Sequence, residues 1–470
     1  MRRAFDQRVL VLSLLGAAVG CGGGGGSPPV PHLVPGGGIG DGNISGLLNV
    51  YVTDDDTRAP VASAAVRVGA SADPAPCTAT TDSTGLAVFN SMSCASLHGK
   101  QTLTASATGY APTTWIGVNG TNVTMTVRAT TRPTVPSAQV SGTIAGWDSL
   151  PAPAQGHSTL AVISYSQSRQ LGDAANSIPQ GMRNVMVGAA TVPIQANLCV
   201  RNAVADDCAC QLTTRTGPQA LYAMILDQDT KGTPLDNTDD TFTTIGWAIK
   251  TGFDFAAGQS ATGETLDQIA DADMETLTAS IASPPAGLDA LAAFPMLDIG
   301  DAGRIPITNP VLDLTHTTTR VPRATGVLAG TRYDLLAQAQ DAQNKPEPST
   351  TAWAHAVDPS STVAMSGWLA PPSGITATGG TYAFTAVAGA TLHGAELQSP
   401  AGDRLWSISI FDGSTSFTLP GLQPDPVPTG MNVLVVTAIQ IPGINLTSVA
   451  FDQARDRLTA ISSDQITFTR

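Results

Sequence analysis

Carboxylates at alternate positions follow an apolar segment near the middle of the chain, in LDQDTKGTPLDNTDD (226–240). Asp227 and Asp229 precede Gly232, and calcium-binding loops begin in this way because alternate residues present hard oxygen ligands around a sharp turn. Lys231 stands where another carboxylate would be needed, and no Glu closes the loop at the usual interval. The favoured interpretation is a solvated loop between two strands, and calcium binding is the alternative. The calcium ligands predicted by this pattern are Asp227, Asp229 and Asp236, with Asp239 and Asp240 in reserve.

Six cysteines offer a second kind of chemistry, and five of them lie downstream of Cys21. Two flank a predicted turn and strand, and three cluster in LCVRNAVADDCAC (198–210). Paired cysteines in an exported protein are expected to form disulfides. The predicted bridges are Cys77 with Cys94, and Cys199 with either Cys208 or Cys210, which leaves one thiol. Zinc in the cluster is disfavoured, because no histidine is near it and the Cys-x-Cys pair lacks a second pair.

The familiar catalytic motifs are missing from the sequence. It contains no Gly-x-Ser-x-Gly elbow, His-Glu-x-x-His helix, phosphate loop or dinucleotide fingerprint. The six histidines are scattered, and HGAE (393–396), which has a ligand-like spacing, is interpreted as a polar corner on a strand edge. We therefore predict no catalytic residue and no enzymatic activity.

Composition limits the classes of partner. The 470 residues suggest about three domains. Charged residues make up 13% of the chain, and the formal net charge is −14. An acidic surface repels a phosphate backbone and anionic lipid, so neither nucleic acid nor direct electrostatic docking on a membrane is expected.

The first 21 residues, MRRAFDQRVLVLSLLGAAVGC, have the form of an export signal. Arginines precede an apolar segment at 9–18 that is too short to span a membrane as a mature helix. AVGC (18–21) resembles the lipobox of bacterial lipoproteins, although that family usually has Leu in place of Ala18. The resemblance implies that Cys21 is diacylated and becomes the new N-terminus, and Gly22 after it implies sorting to the outer membrane. The alternative is an ordinary signal peptide cut near Gly20.

Residues 22–43 follow as a predicted tether. The segment opens with five glycines and continues with SPPVPHLVPGGG, a composition typical of a spacer that does not pack. Such a spacer would hold a lipid-anchored domain clear of the bilayer.

Residues 44–130 are dense with short alternating segments bounded by turn residues, which predicts a β-sandwich. In TDSTG (81–85), the Asp82 carboxylate is placed to accept backbone N–H groups and Gly85 tolerates a positive φ. PVASAAVRV (60–68), TDSTGLAVF (81–89) and LTASATGY (103–110) resemble the carboxypeptidase regulatory-like domain. That resemblance implies a transthyretin-like sandwich that acts as a non-catalytic scaffold or spacer.

Strand patterns continue after a Pro-rich linker at 130–137, and the predicted fold class is all-β, with tandem β-sandwich domains. We expect a β-rich domain at 138–320 and a second at 321–470, both of unknown function, with no internal repeat of fixed period. Residues 264–283 fit either a helix or a strand, and we favour a strand in their second half. The predicted helix is a short one at 451–461.

These features favour a lipid-anchored cell-envelope protein in the bacterial outer membrane, facing the periplasm or the cell surface. Its non-catalytic β-sandwich modules would serve adhesion, ligand capture or envelope structure, with a polysaccharide or a protein as the surface ligand. No cofactor is predicted, and calcium is the alternative. Two alternatives remain: an exported hydrolase with its catalytic domain in 138–470, and a calcium-stabilised carbohydrate-binding protein.

Overall fold

A computed structural model describes the chain over most of its length and confirms the all-β prediction. The predicted signal peptide with Cys21, the first part of the tether and Asp236 lie outside the described residues. The described residues are 31–70, 76–131, 135–169, 174–187, 189–233, 239–307, 311–343 and 347–470, without the side chains of Asp452 and Arg455. In this part of the chain, no helix is long and apolar enough to cross a membrane.

Nine strands precede residue 130: β1 (Gly38–Gly40), β2 (Leu47–Asp54), β3 (Ala65–Val68), β4 (Cys77–Thr80), β5 (Leu86–Asn90), β6 (Gln101–Ser106), β7 (Tyr110–Ala111), β8 (Thr113–Val118) and β9 (Asn122–Ala129). They form two layers, because β5, β2, β9 and β1 pair in one sheet while β4, β3, β6 and β8 pair in another. Each strand turns its apolar face to a shared core. This sandwich matches the strand pattern predicted for 44–130.

The turn predicted at 81–85 forms as the sequence suggests. The Asp82 carboxylate accepts the Thr84 and Leu86 N–H groups at 2.8 and 3.1 Å. Gly85 has φ +77°, and a Cβ at this position would lie 2.6 Å from the Val52 carbonyl oxygen. Glycine is therefore required here by both the backbone conformation and the close approach.

The predicted tether does not end where expected. Its last part contains β1, which pairs with β9 in the sandwich. Nearby, the Val34 N–H donates to the Thr124 hydroxyl at 2.8 Å, and Ile39 is buried. The prediction of an unpacked spacer up to residue 43 is therefore wrong for residues 34–43, because backbone pairing offsets a glycine-rich composition.

The middle of the chain contains ten further strands: β10 (Ser137–Ile144), β11 (His157–Tyr165), β12 (Met182–Val187), β13 (Ala190–Gln195), β14 (Leu198–Arg201), β15 (Asp206–Asp207), β16 (Cys210–Arg215), β17 (Gly217–Asp229), β18 (Thr241–Phe255) and β19 (Ser260–Leu266). One sheet has the order β16-β10-β19 and faces a second sheet of order β15-β14-β11-β17-β18 across a core of their own. The hairpin of β12 and β13 stands apart.

Seven strands follow: β20 (Met274–Ile281), β21 (Ala290–Asp298), β22 (Arg304–Pro306), β23 (Thr318–Pro322), β24 (Arg332–Gln340), β25 (Ser349–Val357) and β26 (Thr362–Met365). β20 confirms the strand favoured for the second half of 264–283. β23 crosses the domain boundary predicted at 320/321, and Val321 is fully buried in a core that extends to Met365. The predicted boundary is wrong because β23, although it contains a proline, continues the fold as an edge strand paired with β20.

The last eight strands are β27 (Ser373–Thr378), β28 (Thr381–Thr385), β29 (Leu392–Gln398), β30 (Arg404–Ile410), β31 (Ser416–Thr418), β32 (Met431–Gln440), β33 (Val449–Ala450) and β34 (Ala460–Thr469). The helix predicted at 451–461 is a single turn, α1 (Phe451–Arg455). Short 3-10 turns occur at Trp147–Ser149, Ala174–Ser177, Asp271–Asp273, Gly300–Ala302 and Gly326–Leu328.

One sheet of twelve strands connects the two ends of the protein. Its order is β22-β21-β24-β25-β34-β32-β29-β30-β8-β6-β3-β4, and the junction is a parallel pairing of β8 with β30. β33 also pairs with β1, on the other layer of the N-terminal sandwich. The C-terminal strands therefore complete the first sandwich, which is not separate from the rest of the chain.

Candidate functional site

The predicted calcium ligands lie in a strand and not around a turn. Asp227 and Asp229 are residues of β17, hydrogen-bonded in register with β11 and β18 on either side. The loop begins only at Thr230, so the prediction that these two carboxylates open a loop is wrong. Continuous pairing on both sides keeps this segment extended.

A histidine and a lysine already contact the two carboxylates. His157 Nδ1 lies 2.9 Å from an Asp227 oxygen, and Lys231 Nζ pairs with Asp229. The Lys231 contact is the main reason why the pKa of Asp229 is lowered. In the reserve set, Asp239 accepts from the Thr233 hydroxyl and Asp240 from Gln228. A calcium ion at Asp227 and Asp229 would have to displace a lysine and a histidine.

The cysteine predictions are confirmed. Cys77 and Cys94 are bonded, with Cα atoms 5.5 Å apart, and Cys199 is bonded to Cys208. Cys210 keeps a free, buried thiol. Its sulfur lies 2.7 Å from that of Cys199, and the three sulfurs lie within 4.8 Å of one another. Burial raises the pKa of the Cys210 thiol to about 12.

A cleft of about 840 Å³ opens beside this cluster, between β10, the turn at 146–149, the segment 208–211 and the start of β19. Its volume falls within the range of pockets that hold small ligands. Cys208 and Cys210 form part of its wall. Gly142, directly opposite Cys210 in the sheet, shapes the floor, because a Cβ there would lie 2.0 Å from the Glu264 carbonyl oxygen.

Polar contacts connect the side chains at the edge of the cleft. Trp147 is buried and donates from Nε1 to Asp206 at 3.0 Å. Arg201 pairs with the same carboxylate at 2.8 Å and lies 5.8 Å from the centre of the indole ring. The Arg201 contact lowers the pKa of Asp206. Since Trp147 is covered, its ring is not a stacking platform for a ligand.

A buried ionic network lies elsewhere, on β21, β22, β24 and β25, and the sequence analysis missed it. Asp334 contacts Arg304 at 3.2 Å and His355 at 3.3 Å. Asp298 contacts Arg169 at 2.6 Å and Arg332 at 3.3 Å. No local motif marks these residues, and the available signal was the occurrence of charged residues within otherwise apolar strands.

The ligand-like pair His393 and Glu396 is also placed differently from the prediction. β29 lies between β30 and β32, so both residues are on a central strand and both are buried. His393 Nε2 accepts the Val387 N–H at 3.2 Å, and Glu396 pairs with Arg404. A spacing of three residues sends their side chains to opposite faces of the strand, so they cannot ligate one metal together.

No family model and no curated protein matches this chain. Among solved structures, the Bacillus anthracis TIE protein aligns at 9% identity over 69% of this chain, with a TM-score of 0.14, and this chain spans about half (50%) of that one. A tetra-tandem repeat from the extending region of a large adhesion protein aligns at 12% identity, over 90% of this chain and 99% of that one, with a TM-score of 0.15. The BSP domain of a biofilm-associated protein aligns at 9% identity, over 94% and 99%, with a TM-score of 0.14. Scores this low do not establish a shared fold, so these alignments give no information about what this chain does.

Proposed function

We propose that this chain is a lipid-anchored, non-catalytic β-scaffold of the bacterial outer membrane that serves adhesion, ligand capture or envelope structure. The observation that carries the proposal is the twelve-stranded sheet, which joins the N-terminal sandwich to the C-terminal strands through the β8–β30 pairing. A continuous sheet transmits load along paired backbones, which suits a protein that holds a surface away from an anchor.

The N-terminal segment supports attachment at a short distance from a membrane. The His32 N–H donates to Asn122 at 3.2 Å, and its ring pairs with Asp41, so His32 is held against the first sandwich. Ten residues (22–31) separate Cys21 from His32. Even fully extended, this stretch spans at most about 40 Å. With Cys21 acylated, the first sandwich would therefore lie within about 40 Å of the bilayer surface.

The chemistry of the buried groups supports a non-catalytic role. Both ring nitrogens of His355 face acceptors, at Asp334 and at the Leu458 carbonyl. The His393 ring accepts a backbone N–H. A general base needs a lone pair directed at a substrate, and these groups use theirs within the fold.

Mass spectrometry of the mature N-terminus, extracted from membranes, tests the anchor, and protease shaving of intact cells tests exposure. We expect a diacylated Cys21 and release of fragments from shaved cells. A Cys21→Ser variant should be lost from the membrane fraction. A freely soluble native protein with an unmodified start would contradict the anchor, and turnover of a glycan or peptide panel would contradict the non-catalytic role.

A further inference from the structure

The cysteine cluster lies where the chain passes from one sheet to another. β15 pairs with β14 in the five-stranded sheet, and β16 pairs with β10 in the facing sheet. Cys208 and Cys210 stand on either side of this crossing, with Ala209 between them. Its N–H donates to the Asp207 carboxylate at 3.1 Å, which holds the bend. The crossing therefore brings two sulfurs to Cys199 on β14.

The sulfur of Cys199 lies next to the sulfurs of both Cys208 and Cys210. It is bonded to Cys208, and the Cys210 sulfur is 2.7 Å away. Cys199 is fully buried, Cys210 is 3% exposed and Cys208 is 9% exposed. Thiol–disulfide exchange proceeds by attack of a thiolate on one sulfur of a disulfide. The attacking sulfur must therefore lie close to the disulfide. Here the attacking group is already in contact.

We propose that Cys199, Cys208 and Cys210 form a thiol–disulfide exchange site that presents a thiol to the cleft and accepts low-molecular-weight disulfides. In the first step, the Cys210 thiol gives its proton to solvent and its sulfur bonds to Cys199. The Cys199–Cys208 bond breaks, and Cys208 leaves as a thiolate. No external oxidant or reductant is needed, because one disulfide replaces another.

In the second step, the Cys208 thiolate attacks a small disulfide R–S–S–R. A Cys208–S–S–R bond forms, and R–S⁻ leaves and takes up a proton. The cleft beside Cys208 provides room for the R group.

Burial slows the first step, and it leaves Cys208 the more accessible of the two sulfurs. The high pKa of Cys210 makes the first step slow, because the thiolate is the attacking form. The charged groups that act on this thiol are Arg183 on β12, which lowers its pKa, and Asp207 on β15, which raises it. Cys208 is the more exposed of the two partners, so its thiolate is the better solvated leaving group.

The test uses the full-length oxidised protein, incubated with glutathione disulfide and then acid-quenched, alkylated and digested without reduction. Trypsin releases Cys199 in residues 184–201 and the other two cysteines in residues 202–215. Fragmentation of these peptides in the mass spectrometer then identifies which cysteine carries glutathione. We expect glutathione on Cys208 together with a Cys199–Cys210 bridge. An adduct confined to Cys210, or none in the wild type after prolonged incubation, would overturn the proposal.

Two matched variants complete the test. Cys208→Ser should form the Cys199–Cys210 bridge and retain the thermal transition of the wild type. Cys210→Ser should retain Cys199–Cys208 and lose the adduct. Two unpaired thiols in folded Cys208→Ser, or an undiminished adduct in Cys210→Ser, would contradict exchange. If Cys208→Ser does not fold, the position of glutathione in the wild-type protein still tests the proposal. Neither result depends on lipidation at Cys21.

Discussion

The partly buried His355 pairs with the buried Asp334, and both nitrogens of its imidazole ring are engaged. Nδ1 lies 3.3 Å from an Asp334 oxygen, and Nε2 donates to the Leu458 carbonyl at 2.7 Å. Two acceptors on opposite sides of the ring favour the doubly protonated form. Burial alone lowers the pKa of His355, but the contacts with Asp334 and Leu458 outweigh it and raise the pKa above its ordinary 6.5.

This pair predicts a stability plateau with two limits. The contribution of His355 is complete below its ordinary pKa of 6.5 and is lost as the pH rises through the higher folded value. Burial raises the pKa of Asp334, but His355, the Ala356 N–H and Arg304 together lower it below its ordinary 3.8. Its contribution is therefore complete above 3.8 and is lost as the pH falls through the folded value. Thermal melting against pH should be highest between about 4 and 6.5 if this pair dominates the titration.

Substitution of His355 tests the upper pH limit of this stability plateau. His355→Gln should flatten the loss of stability above pH 6.5, whereas His98→Gln, at an exposed histidine, should leave it unchanged. Asp334→Asn should cost about 3–5 kcal/mol, because the buried Arg304 loses its nearest carboxylate and His355 loses its charged acceptor. An identical pH dependence in wild type and His355→Gln would show that the pair does not set the limit.

The junction between the first sandwich and the C-terminal strands depends on the absence of a side chain at Gly117. Gly117 has φ +81°, and a Cβ would lie 2.4 Å from that of Asp412. Gly109 has φ +83° with open space around it. Gly109→Ala should cost about 1 kcal/mol through backbone strain. Gly117→Ala should cost roughly 1–3 kcal/mol more than Gly109→Ala, because the added methyl group overpacks the junction. Denaturant unfolding measures both losses. Equal losses would indicate that the junction relaxes freely.

Aromatic packing provides a second test of the same junction. Trp115 on β8 packs against both Phe411 and Phe451, with ring centres 5.5 and 5.3 Å away. Phe451→Ala should reduce the free energy of unfolding by about 3–5 kcal/mol, since a buried aromatic ring is lost. Met92→Ala, at a residue 93% exposed, is the control and should change it little. A near-neutral Phe451→Ala would mean that the C-terminal strands do not complete this core.

The Cys77–Cys94 disulfide should stabilise the N-terminal sandwich. It joins residues 17 apart in sequence. For a loop of this size the expected contribution is about 3 kcal/mol, chiefly through the unfolded chain. Denaturant unfolding of Cys77→Ala/Cys94→Ala should show this loss, whereas the same measurement on Cys210→Ser should show a smaller one. A double variant as stable as the wild type would contradict the prediction.

Calcium should not raise the melting temperature. His157 and Lys231 already contact Asp227 and Asp229, so an ion would have to break those pairs. Melting curves in millimolar calcium and in chelator should coincide. A rise with calcium that Asp227→Ala abolishes would restore the predicted site, with Asp236 as the next ligand to test.

Local patterns in the sequence predict the parts of this fold that are locally determined. Alternation predicts the strands of the first sandwich, because period-two burial is a property of each segment. Asp82 and Gly85 predict their own turn, because both effects act within five residues. The five downstream cysteines limit the disulfides, but Cys199 has two partners two residues apart, and only the path of β15 and β16 selects between them.

The sequence by itself determined an all-β chain with a turn at 81–85 and a bridge from Cys77 to Cys94. Tertiary structure alone decided that residues 34–43 pair with β9, that β23 crosses an expected boundary, and that β8 continues into β30. The physical reason is that strand formation follows local alternation, whereas partner choice depends on which apolar faces and unpaired edges meet, and these come from distant parts of the chain.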